Sequence, residues 1–79
     1  MADLNFAGLA SELLARSESL CREWFPSGKK RGHEYVVGNL QGAEGDSLSI
    51  NLNTGKWGDF ATGEVGGDLI SLYAAKEGI

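Results

Sequence analysis

With one cysteine and one histidine in 79 residues, this chain is expected to hold its fold by packing alone. A disulfide within the chain needs two thiols. A tetrahedral Cys/His zinc site needs four ligands, of which Cys21 and His33 supply two. No metal and no cofactor is therefore expected. The constraint is severe, because a domain this small buries only about 60% of the surface its unfolded chain exposes, and many such domains depend on a disulfide or a metal. A lone thiol points to a reducing compartment. No run approaches the roughly 18 apolar residues of a membrane span, and Asp3 stands where a secretory signal would carry positive charge. The expected location is the cytoplasm, with no membrane partner.

The hydrophobic pattern divides the chain into one domain of class α+β. Asp3 is a plausible N-cap for a first helix. After it Phe6, Leu9, Ala10, Leu13, Leu20, Cys21 and Trp24 recur at three and four, with Ser17 the one polar break. This predicts a single amphipathic helix over 1–25 with Glu12, Arg16, Glu18, Arg22 and Glu23 mostly on its wet side. Pro26 ends it, since proline lacks an N–H and biases Phe25 out of the helical region. Twelve glycines against one proline predict many tight turns beyond that point.

Over 33–62 the pattern predicts a three-stranded antiparallel sheet. Tyr35, Val36 and Val37 favour a strand. Leu48, Ile50 and Leu52 alternate with Ser47, Ser49 and Asn51, which marks a half-buried strand. Asn53-Thr54-Gly55 signals a hairpin, and Lys56 to Ala61 return as the partner strand. Gly63, Gly66 and Gly67 form a turn, and Asp68 caps a final helix over 68–77 that packs Leu69, Leu72, Tyr73 and Ile70 on the sheet and ends at Gly78.

The net charge is −4, yet residues 29–36 carry three bases against one acid. Lys29, Lys30, Arg31 and His33 form a basic turn between glycines, followed by Tyr35. Lysine and arginine neutralise phosphates, and an aromatic can stack on a base. The same run also reads as a solvated turn that binds nothing. Trp57 and Phe60 lie three positions apart on a strand, so they point to opposite faces. One joins the core, and the other, beside Lys56, is exposed as a platform for a base or sits under the last helix; packing of both in the core is the plainer alternative. The glycine-rich run before Asp68 lacks the Lys-Ser/Thr of a phosphate loop and carries Glu64, so turn plus cap is its better reading. Cys21 falls on the apolar stripe with no histidine near it in sequence, which describes an inert buried thiol. No nucleophile–base pair or metal set is visible, and no activity as an enzyme is expected.

The run GHEYVVGNL and the run SLSINLNTGKWGDFATGEVGGDLISL resemble the zinc-binding ribbon at the N-terminus of bacterial and phage DNA primases. The likeness is to its degenerate form in primase- or helicase-like proteins of phages and mobile elements, and it covers about residues 24–78. The family binds zinc with C-x2-H-x17-C-x2-C. In this chain those positions fall on Gly38, Gln41, Asp59 and Thr62, so the spacing survives and the ligands do not. The resemblance implies a zinc-ribbon-like fold without zinc, stabilised by packing. It also implies an accessory, non-catalytic module that contacts a single-stranded DNA template for a longer primase or helicase, whose other domains would be its partners. Lys29, Lys30, Arg31, His33, Tyr35, Lys56 and Trp57 are the candidate contacts. The alternative is a protein-docking module that has lost DNA binding.

Overall fold

The computed structural model describes residues 6–79, so the expected cap Asp3 lies outside the described residues. The α+β class holds, with three helices and a five-stranded antiparallel sheet among the described residues. The helices are α1 (Phe6–Ala15), α2 (Ser17–Trp24) and α3 (Leu69–Glu77). The strands are β1 (Lys29–Arg31), β2 (Glu34–Val37), β3 (Leu48–Asn51), β4 (Trp57–Asp59) and β5 (Val65–Gly66), and each pairs with its neighbour in sequence. Among the described residues no helix is long and apolar enough to cross a membrane.

The expected single helix is two. It breaks at Arg16, whose N–H bonds back to the Leu13 carbonyl at 3.0 Å in a tightened turn. The reason is the polar break in the stripe. Ser17 is buried, and its hydroxyl donates to the Leu52 carbonyl at 2.8 Å, on the far side of the sheet sequence. A straight apolar stripe would have left that carbonyl unpaired. Ser17→Ala is expected to remove about 1–3 kcal/mol of stability, read as a lower urea midpoint with an unchanged slope. The second helix ends at Trp24, ahead of Pro26, as expected.

The expected three strands are five. Lys29–Arg31 is not a turn but an edge strand, paired with β2 through Lys29↔Val36, Lys30↔Tyr35 and Arg31↔Glu34. The turn is Gly32-His33 alone, and Gly32 has φ +60°. A glycine at positive φ opening a two-residue loop suits the right-handed twist of a hairpin. Val65-Gly66 likewise leaves the glycine-rich turn to pair with β4.

Strand alternation then sorts the sheet into two faces. Tyr35, Ile50 and Trp57 lie abreast on one, as do Val37, Leu48 and Asp59. These residues, Asp59 apart, join Leu20, Cys21, Phe25, Leu40, Leu52, Leu69 and Leu72 in the core. In the first half of the chain, helix α2 supplies Leu20 and Cys21 to that core. Burial pushes the Cys21 thiol up to about 12, so at neutral pH it is a protonated hydrophobic group. In α3, Leu69 and Leu72 are buried as expected, whereas Tyr73 turns from the sheet to meet Trp24, ring centroids 5.3 Å apart. The Asp68 carboxylate accepts from the Ser71 N–H at 2.7 Å, and Gly78 closes the helix at φ 75°. Both are the caps the sequence predicts.

Candidate nucleic-acid interface

The basic segment is split by its own pleat. Successive side chains on a strand point to opposite faces, so Lys29 and Arg31 stand on the open face of the sheet while Lys30 lies on the side of α2. There Lys30 Nζ meets Glu18 Oε1 at 3.1 Å, while on the open face Arg31 meets Asp46 at 3.9 Å. The expectation of one continuous basic turn is corrected accordingly: Lys29, Lys30, Arg31 and His33 serve two separate surfaces.

Tyr35 and Trp57 are not available for stacking on a base. Tyr35 is 1% exposed, and its hydroxyl donates to the Phe25 carbonyl at 2.6 Å. Burial raises its pKa above the ordinary phenol value. Trp57 is 6% exposed, and its indole N–H donates to Ser71 Oγ at 3.0 Å. The hairpin register turns both rings inward, where the only polar atom of each finds a partner, as buried tyrosine and tryptophan require. The opposed orientation of Trp57 and Phe60 holds, and it is Phe60 that faces out, 87% exposed.

The open face has a shallow hollow of about 460 Å³ around β4, lined by Phe60, Val65, Gly58, Ser49, Asn51 and Lys56 among others. Gly58 and Ser49 are paired across β3 and β4, and Gly58 pairs with Val65. The floor is therefore made of small residues, with Phe60 and Val65 exposed beside it. Lys56 and Lys29 have no ion-pair partner among the described residues. At the β1 corner Lys29 and Arg31 share a second hollow with Glu44 and Asp46, which balances their charge. Glu34 lies on the same face and accepts a hydrogen bond from Ser49 Oγ at 2.7 Å.

A different groove, of about 660 Å³, runs between the α1–α2 junction and the β1–β2 turn. Arg16, Arg22, Lys30 and His33 line it, with Glu18 as its one acid among the described residues. Sequence reasoning left Arg16 and Arg22 on the wet side of a helix. No local signal reveals that they meet Lys30, because that proximity is created by docking α2 beside β1.

The positions Gly38, Gln41, Asp59 and Thr62 lie in two turns, or at the strand end that opens one, at one end of the sheet. Leu48 stands between their strands, pairing with both Val37 and Asp59, so the two turns are about two strand spacings, or roughly 10 Å, apart. Each turn is held by side-chain oxygen. Asn39 Oδ1 accepts from the N–H groups of Gln41 and Ala43 at 3.0 and 3.1 Å. Asp59, itself buried, accepts through Oδ1 from the N–H of Ala61 at 2.8 Å and of Thr62 at 3.4 Å. Gly38 lies against the backbone of the other limb of its loop: a Cβ there would stand 2.5 Å from the Ala43 carbonyl oxygen. Among the described residues no three His, Cys, Asp or Glu side chains are grouped to hold a metal ion. Comparison of the chain with protein-family models, with curated proteins and with solved structures finds no match.

Proposed function

We propose that this domain is a non-catalytic module that binds single-stranded nucleic acid on the open face of its sheet. The observation that carries the reading is Phe60, an aromatic ring left in solvent beside a floor of Gly58 and Ser49. An exposed ring stacks on any base, and a floor of small side chains lets the base lie flat. Lys56 beside it is a cation free to meet a phosphate, and Lys29 across the sheet is a second, its charge offset by Glu44 and Asp46. The charge on this face is modest, so the binding is weak and depends mainly on stacking.

The resemblance to the primase ribbon supports the same reading and gives it a setting, as an accessory to a primase or helicase of DNA replication. In that reading the ion's task has passed to the two capped turns, where Asn39 and Asp59 gather backbone N–H groups and Gly38 admits the opposite limb of its loop. The cytoplasm is the compartment that fits a protein with one buried thiol.

The test is a titration of a fluorescent oligodeoxynucleotide at low salt. Phe60→Ala is expected to weaken binding by about 1–3 kcal/mol, the worth of one stacked base, which is roughly fivefold to 150-fold in Kd. Lys56→Ala should lower the salt slope by about 0.7, one phosphate contact on a single strand. An unchanged Kd for Phe60→Ala would overturn the reading. A second reading, docking to another replication protein, is favoured by the apolar exposure of Phe60 and Val65 together. A complete lack of binding to single strands at low salt would select it.

A further inference from the structure

We propose that the groove between the α1–α2 junction and the β1–β2 turn is a binding site for an oligophosphate, two or three linked phosphate groups carried by a small ligand. Arg16, Arg22 and Lys30 line it, and among the described residues Glu18 is its single acid, so these side chains give it a net +2 before His33 is counted. The whole chain carries −4, which leaves −6 for everything else. Cations gathered in one recess against the sign of the molecule focus the field there and draw in anions.

The chemistry of the lining selects the ligand. Guanidinium groups present a planar fork that fits two phosphate oxygens at once, and an ammonium adds a point charge. Ser19 and Asn53 add neutral hydrogen-bonding groups to the same wall. Among the described residues no aromatic side chain other than the His33 imidazole lines the groove, so a base has little to stack on, and the phosphate chain is what is recognised. A volume of about 660 Å³ accommodates a triphosphate with room for what it is attached to.

Glu18 marks where the ligand sits. Its Oε2 lies 3.0 Å from Arg22 and its Oε1 3.1 Å from Lys30, so one carboxylate bridges two cations. Lys30 and, after it, Arg22 hold that carboxyl below its ordinary pKa, and it stays ionised. The side chain is about half exposed and can swing into solvent. A triphosphate, with several charges and more acceptor oxygens, competes with it for the same donors.

The experiment follows backbone amide resonances of the whole chain while sodium triphosphate, orthophosphate or ATP is added at fixed ionic strength. Shifts should concentrate at Ser19, Lys30 and His33, with triphosphate binding at least tenfold more tightly than orthophosphate. Arg16→Ala, which removes a cation that has no ion-pair partner among the described residues, should weaken triphosphate binding about tenfold. Glu18→Gln should tighten it several-fold by releasing Arg22 and Lys30, a gain that a merely structural bridge does not predict. Equal affinity for ATP and triphosphate supports a site that reads the phosphate chain alone, and tighter binding of ATP supports the same site with a nucleotide as its source. Phe60→Ala should leave all of these affinities unchanged, which separates this site from the sheet face. No localised shift at 10 mM triphosphate, or a Glu18→Gln variant that is folded and binds no better, would overturn the proposal.

Discussion

Replacing Trp57 with alanine is expected to unfold most of the population at room temperature in mild denaturant. Removing a buried tryptophan side chain costs about 3–5 kcal/mol. At roughly 0.05–0.15 kcal/mol per residue a chain of this length has about 4–12 kcal/mol in all, so the loss takes a large share of it. The position gathers more than area. The indole N–H donates to Ser71 Oγ, and that hydroxyl donates in turn to the Asp68 carbonyl at 2.9 Å. Gly66 of β5 stands close against the indole, with no room for a Cβ between them. One ring therefore joins β4, β5 and the capped start of α3. Urea denaturation followed by circular dichroism gives the measurement, and Phe60→Ala, 87% exposed, is the control expected to move by less than about 0.5 kcal/mol. A Trp57→Ala protein that loses under about 1 kcal/mol would show that the ring is peripheral. The same result would return Trp57 to the list of candidate stacking residues.

Gly38→Ala should be nearly as damaging, although it adds a single methyl group. The new Cβ would stand 2.5 Å from the Ala43 carbonyl oxygen and 2.8 Å from the Glu44 carbonyl carbon. Both are backbone atoms of a loop closed by the Gly38 N–H bond to Ala43 at 2.7 Å, so neither can swing aside as a side-chain tip would. Overpacking of this kind costs about 1–3 kcal/mol. In a domain of this size that lowers the melting temperature by about 4–8 °C per kcal/mol. Gly38→Cys should do no better. A Gly38→Ala protein melting within about 2 °C of the parent would mean that the loop yields easily, and the packing argument for this end of the sheet would fail.

What the residues reveal by themselves depends on how local the cause is. Leu48 and Ile50 are buried while Ser49 and Asn51 face out, because a period of two is a property of one strand and needs no partner to be seen. Pro26, Asp68 and Gly78 act within a turn of themselves, and all three boundaries fall where expected. The break at Arg16 was hidden because its cause, the Leu52 carbonyl, is 35 residues from Ser17. Strand β1 was hidden for a similar reason. Lys29-Lys30-Arg31 has no strand propensity of its own and is extended because β2 offers it a ladder.

The candidate site suffered more than the fold from these hidden causes. Once the segment is a strand, its three cations divide between two faces, and Lys30 leaves Lys29 and Arg31 for Arg16 and Arg22. Opposition of Trp57 and Phe60 followed from spacing, but which of them faces the core did not. A three-residue strand carries too little pattern to decide it, and Asp59, an acid on the inner side, points the wrong way. Register with Ile50 decides it, and register is a property of the pair.

The two borders of the sheet have a consequence for how this protein behaves among its own copies. On one side lies a run of three charged residues, and on the other a strand of two residues ending in glycine. A foreign strand that tried to extend the ladder would meet like charge along the first border and almost no ladder along the second, and both features discourage edge-to-edge aggregation.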